Sequence, residues 1–541
     1  MTQPPPRELL IVNARLWSPD HAPQGDSLLL AHGRIAATGT ALELRTAAPH
    51  ARELDANGAT VTPGLCDAHL HFVPWAQSRR QPDLHGTHSR AAALRIVAAA
   101  LAADSSPAPL VGRGWDETGW EALPDRTALD ALAPERAVLL HRHDFHALWV
   151  NSAALRAAGI TRASRDPEGG VFVRDASGEL TGLVRENAVS AFHALEAQAG
   201  PAIDDALLDE AAAALHANGI TSVHDFQRGA IDIARMRALA SRGRLRVLQQ
   251  VGLEALEHLA AAGLASGVGD EWFRIGALKL FADGTLGSRT AAMLLPYDDA
   301  RHTGMKVLAP AALREQVTFA RRAGFATSIH AIGDAAVRDA LDAFESAADA
   351  CEGLAPPALP SRIEHVQLLD PADRARFATL GIAASMQPQH CVTDAEAARA
   401  AWGARCANAY AWEQLRAAGA LLAFGSDAPV EPPVATLGLH AALTRVRPDG
   451  QPAGGFEPGQ VVTFATALRA YTEGPARLSG LWPRAGRLAV GALADVVGWD
   501  RDLETASPES LLAARPTFTA LGGEIVYHFT GAGAAVAPEC R

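Results

Sequence analysis
The chain has 541 residues, of which 48% are hydrophobic and 20% charged, with a formal net charge of −12. That length exceeds a typical single domain, and the composition is that of a folded protein, which excludes a disordered chain. The acidic balance argues against nucleic acid and anionic membrane as partners, because both are polyanions.

The N-terminus, MTQPPPRELLIVNA, has no long apolar core of a secretory leader, and no run of eighteen apolar residues follows. The expectation is a soluble, cytoplasmic protein. Cys66, Cys351, Cys391, Cys406 and Cys540 are scattered without a CxxC pair, so neither a disulfide framework nor a thiolate zinc knuckle is expected.

In chain order, the first sixty residues read as short strands: LLIVNARLW, DSLLLAHGRIAATG and ATVTPG carry apolar residues between turn formers. The last sixty read similarly, in RLAVGALADVVGWD and TFTALGGEIVYHF. Neither end can bury a core of its own. They are either two independent fringes or, as preferred, one small β-sandwich built from residues 1–62 and 476–541, since chain termini often lie close together.

Between the ends, apolar segments alternate with Ala-rich helical stretches. Eight candidate strands fall at 65–71, 220–224, 245–251, 274–280, 325–330, 362–366, 382–386 and 421–426. Helices are expected at 310–322, 334–348, 371–379 and 407–418. Strand and helix alternating at this pitch indicate a parallel sheet, and eight units indicate a closed (β/α)8 TIM barrel over 63–475. The gap between the first two strands is too long for a simple connection. A subdomain is therefore expected at about 75–205, holding a helix at 90–103 and the strand-like AVLLHRH. Neither GxGxxG at a strand–helix junction nor GxxxxGK[ST] occurs, so nucleotide loops are excluded.

The chemistry starts at GLCDAHLHF. His69 and His71 are two residues apart on an expected strand, so they share a face and can reach one metal. Alone, that pair is as compatible with a structural role. Four more strand ends carry a potential ligand: Lys279, His330, His365 and Asp427. In a barrel such positions converge on one face. A lysine, four histidines and an aspartate gathered there are costly unless paired or metal-bound.

With GRGWDETGW, HALWVNSAALRAAGI, GGVFVRDASGELTGLVRE, GITSVHD, KLFADGTLGSRTA, HAIGD, RIEH, MQPQH and GSDAPV in this order, the sequence resembles the amidohydrolase superfamily. The resemblance is to its YtcJ-like branch, which includes an N-substituted formamide deformylase. It implies one or two divalent metals, usually zinc, with two ions per chain expected here. His69, His71 and Asp427 would bind the more buried ion, and His330 and His365 the second. Lys279 would bridge them as a carbamate formed with carbon dioxide; the other reading of Lys279 is an ion pair with Asp283 or Asp427. The metals would activate water, and Asp427 would accept its proton and pass it to the leaving nitrogen.

Several residues carry two readings. His224 is buried and hydrogen-bonded, or orients substrate. Arg289 binds a substrate carboxylate, or holds Asp283, with which it starts a loop above the site. His390, after the seventh strand, is read as substrate-facing. Trp115 and Trp149 line an apolar pocket, or pack the core of their own subdomain. Asn151 is expected to cap a helix, and so is Asp334.

The function expected is therefore hydrolysis of a non-peptide C–N bond in a small-molecule amide, N-substituted formamides among the candidates. On the same metals the alternatives are a cyclic amidase or deaminase and a phosphotriester or lactone hydrolase. A non-catalytic binding barrel is the alternative of another class. A homodimer is expected by fold-level analogy only.

Overall fold
The computed structural model describes residues 8–19, 23–167, 169–196, 198–199 and 203–529; Cys540 lies outside them. Its centre is a sheet of eight strands: β1 Leu65–Leu70, β2 Ile220–Asp225, β3 Arg246–Val251, β4 Phe273–Phe281, β5 Thr327–Ala331, β6 Arg362–His365, β7 Ala383–Met386 and β8 Leu422–Phe424. They pair in chain order, and every pair is parallel. Their residues are almost continuously buried, as expected for strands covered on both faces. Helices such as Pro310–Arg322 and Asp334–Ala350 supply the outer cover.

The ring is nearly closed, and the residues of the expected site form its seam. β8 and β1 meet through a single bridge, Leu70 to Ala428. Asp427 N–H donates to the His69 carbonyl at 2.6 Å, and His71 N–H to the Ala428 carbonyl at 2.7 Å. β1 stops at Leu70, one residue short of the expected strand, so His71 stands at the start of the helix Phe72–Ser78.

One expected helix is shorter than predicted. Instead of 407–418, the α-helix is Trp412–Ala417, preceded by a 3-10 turn at Gly403–Asn408. The buried Arg445 explains the difference. Its guanidinium takes the carbonyls of Tyr410 at 2.9 Å and Ala409 at 3.2 Å, and Tyr410 sits at φ 48°, which breaks the helical path.

Between β1 and β2 lies a five-stranded sheet in the order Gly170–Arg174, Leu180–Glu186, Ala147–Val150, Val138–Arg142, Leu110–Trp115. Helix Arg90–Ala103 precedes it. Trp115 and Trp149 are buried in this unit's own core, their rings edge to face at 6.4 Å. Their indole N–H groups are held by the carbonyls of Leu140 and Asp125. The packing reading of both tryptophans is the one realised. Asn151 caps helix Ser152–Ala157 by accepting Ala154 N–H at 2.9 Å. Asp334 is not a cap: Gly333 takes that place, and the Asp334 carboxylate accepts Leu294 N–H.

The two chain ends do form one sandwich. A four-stranded sheet comes from the N-terminal segment alone. A five-stranded sheet interleaves Arg15–Leu16 and Thr60–Pro63 with Val496–Trp499, Pro516–Leu521 and Glu524–His528. Leu9, Ile11, Leu28, Val61, Val496 and Phe518 share the core between them. Neither end could exclude water from these side chains alone.

A buried ion pair ties the sandwich to the barrel. Arg246 of β3 grips Asp495 through two bonds of 2.5 and 2.9 Å, and Asp495 also accepts Gly522 N–H. Asp495→Ala would strand the guanidinium in a nearly dry site. It is expected to destabilise the fold by about 3–5 kcal/mol, measured as a shift of the first denaturant transition. An unmoved transition would show that water reaches the pair.

Candidate metal centre
The carboxyl ends of the barrel strands open into a cavity of about 350 Å³. His69, His71, Lys279, His330, His365 and Asp427 all line it, although they come from β1, the start of the helix after it, β4, β5, β6 and the turn after β8. The structure thus brings together all six expected ligands.

Asp427 is the hub. One carboxylate oxygen lies 3.3 Å from His69 Nε2 and 3.5 Å from His71 Nε2. The other lies 3.9 Å from His390 Nε2. Two groups therefore have donor atoms close enough to hold an ion: His69, His71 and Asp427, and His365, His390 and Asp427. Burial alone would raise the Asp427 carboxyl, but His69, His71 and His365 hold it well below the usual range. Its backbone is left-handed at φ 61°.

The histidines are fixed from behind. His69 Nδ1 lies 2.7 Å from Glu364 Oε2, and the ring stacks on Phe226 with centroids 3.7 Å apart. Glu364 is held in turn by Arg362 Nε at 2.8 Å and the Ser328 hydroxyl at 2.5 Å. His365 Nδ1 faces Gln387 Oε1 at 2.8 Å. A carboxylate or amide oxygen on Nδ1 puts the hydrogen there and leaves the Nε2 lone pair for a metal. His330 differs: its Nε2 faces the Gly284 carbonyl at 3.0 Å, which leaves Nδ1. Burial keeps His330 and His365 well below the ordinary imidazole value and His69 at about 4, so all three are neutral and able to ligate.

β6 supplies two neighbours to this arrangement. Glu364 and Arg362 point into the barrel, so strict alternation would send His365 outward. Positive φ angles at His365 (73°) and Val366 (45°) turn the strand end and aim His365 at the centre.

Lys279 Nζ lies above the rings of Phe226 and Phe281, at 4.6 and 4.8 Å. Burial pulls its ammonium down to about 8, against the Glu364 and Asp427 carboxylates, which raise it. Among the described residues no carboxylate is within ion-pair distance of Nζ, so the pairing with Asp283 or Asp427 is not formed.

The remaining expected residues fall in different places. His390 lines the cavity beside Asp427. His224 is buried away from it, accepting from Arg362 Nη1 at 2.9 Å. Asp283 is buried, and its carboxylate accepts the N–H groups of Ala292, Ile332 and Gly333. Arg289 neither holds Asp283 nor enters the cavity; it grips Asp299 at 2.6 Å. Trp115 belongs to the core described above.

Glu364 and Gln387, and the lining residues His141, His143, Asp144 and His146, are not among the residues expected at the site from the sequence. The cluster HRHDFH, with three histidines in six residues, was the available signal for the last four. Glu364→Gln is expected to weaken metal affinity about 10- to 100-fold, because His69 loses the partner that orients it. Metal competition titration checks this, and an unchanged affinity would free His69 of that dependence.

A family model described as the amidohydrolase family matches residues 52–527. The chain belongs to that family. A putative amidohydrolase, YtcJ, of Bacillus subtilis is 32% identical over 522 residues, covering 93% of this chain and 96% of its own. An N-substituted formamide deformylase of Arthrobacter pascens is 27% identical, covering 97% and 99%. Among solved structures, a metal-dependent hydrolase from Pyrococcus horikoshii superposes with a TM-score of 0.76 at 26% identity, covering 93% of this chain and 99% of that one. Family and site together make this amidohydrolase a metal-dependent hydrolase of carbon–nitrogen bonds. Among the described residues no helix is long and apolar enough to cross a membrane.

Proposed function
We propose that this amidohydrolase cleaves a small non-peptide amide, with N-substituted formamides the first class to test, using two divalent ions, zinc foremost. The observation that carries the reading is the Asp427 carboxylate shared between two histidine groups at the floor of the cavity. The residues present fit metal. His390 is buried, yet neither ring nitrogen has a hydrogen-bond partner, and its Nε2 is turned toward Asp427. Such orphaned nitrogens are what an ion would satisfy.

His69, His71 and Asp427 would hold one ion; His365 would hold the other, with His330 or His390 completing it. Lys279, as a carbamate, would supply an anion between them, and its depressed pKa favours the neutral amine that adds carbon dioxide. When bound, the ions polarise the amide carbonyl and make water more acidic. Asp427 takes the proton of the attacking water on one carboxylate oxygen and returns it to the leaving nitrogen. Phe226 and Phe281 give the cavity apolar walls beside the ligand cluster. The formamide preference is supported by the name of one relative alone.

The test pairs metal analysis of purified protein with a substrate panel of N-substituted formamides, longer acyl amides, cyclic amides, ring amines and esters. The expected result is amide turnover that chelation abolishes and zinc restores. Strong ester turnover with no amide turnover would replace the reading. Protein that holds no metal and cannot be reconstituted would remove it.

A further inference from the structure
The unit inserted between β1 and β2 sends several histidines into the barrel's cavity, and His146 among them is held from behind by a carboxylate of the same unit. The turn between strands Val138–Arg142 and Ala147–Val150 carries His146, whose ring centroid is 5.9 Å from that of His330. His146 Nδ1 lies 2.6 Å from Glu186 Oε2. The other Glu186 oxygen accepts the Thr290 hydroxyl at 2.5 Å, from the loop after β4. Only 5% of the Glu186 side chain is exposed.

This pair is built, with local conformation sacrificed to it. Glu186 sits at φ 52°, ψ −134°, a conformation costly for any residue but glycine. It is held there by its own N–H, which donates to the His146 carbonyl at 2.8 Å. Gly284 makes room on the barrel side: a Cβ there would stand 2.2 Å from Thr290 Oγ1 and 3.2 Å from Glu186 Oε1. The same Gly284 carbonyl meets His330 Nε2. Asp144 secures the turn, accepting His146 N–H at 3.1 Å and Arg142 Nη1 at 2.7 Å. Thus Nδ1 is committed to a buried carboxylate. Nε2, on a ring that lines the cavity, has no partner among the described residues.

We propose that the inserted sheet supplies a catalytic residue to the barrel: His146, with Glu186 as its positioning residue, presents Nε2 to the scissile amide as a hydrogen-bonding contact. The claim rests on the amide-hydrolase reading and goes beyond it, because the metal groups and Asp427 would otherwise complete the site without the insert. A buried carboxylate behind an imidazole fixes tautomer and ring orientation, which a residue that merely filled space would not need.

The test uses the full-length, metal-loaded enzyme and three variants: His146→Ala, His146→Gln and Glu186→Gln. His146→Ala is expected to lower kcat about 10²-fold, with KM, metal content and melting temperature close to wild type. His146→Gln, whose side-chain nitrogen reaches toward the Nε2 position, should recover part of that loss. Glu186→Gln should fall between wild type and His146→Ala.

An unchanged kcat in His146→Ala overturns the proposal, and so does a loss that follows lost metal. If no amide is turned over, the amide reading fails on its own. The same variants are then judged on the ester or ring amine that the panel reveals.

Discussion
Asp427→Asn is expected to lower turnover by about 10³-fold or more while metal content falls much less. The amide keeps the size of the carboxylate and one oxygen toward His69 and His71, 3.3 and 3.5 Å away. It loses the ability to take a proton from water and return it to nitrogen. Asparagine also tolerates the left-handed φ of 61° at this position, whereas alanine would add backbone cost to the chemical loss. Steady-state kinetics beside metal analysis on the same preparation checks this. Parallel loss of metal and activity would make Asp427 a ligand and nothing more.

The second large effect is expected at Lys279. Lys279→Ala should fold, because no described carboxylate depends on Nζ: Glu364 remains satisfied by Arg362, Ser328 and His69. It should drop from two ions to one per chain and lose about 10²-fold or more in kcat. Without an anion between them, two cations repel at short range. Short carboxylic acids with bicarbonate are expected to restore part of the activity by replacing the bridge. A metal-replete crystal with an unmodified Lys279 and one filled site would remove the bridge. The hydrolase itself would survive that result, since one ion and Asp427 still activate water.

Much of the site is local in sequence. His69 and His71 are two residues apart, and His330, His365 and Asp427 each end or follow an apolar segment, so barrel geometry alone brings them to one face. Glu364 was in view, one residue before His365, but its partners come from three strands. Only the convergence of Arg362, Ser328 and His69 shows that it sets the His69 tautomer. His224 takes the buried, hydrogen-bonded reading. It lies two residues from Phe226, which lines the cavity, yet at its own level the ring meets Arg362 beneath the site.

The sequence by itself determined the parallel eight-stranded core, the shared sandwich of the two chain ends and the convergence of the six candidate positions on one cavity. Those follow from periodicity and from the cost of leaving apolar or charged groups unpartnered. Tertiary structure alone decided that Arg289 pairs with Asp299, that Tyr410 leaves the helix for Arg445, and that His390 joins Asp427. It also decided that Glu186, forty residues along the chain, stands behind His146. Each depends on which oxygen or nitrogen lies within about 3–4 Å across separate elements, a distance that residue spacing along the chain does not encode.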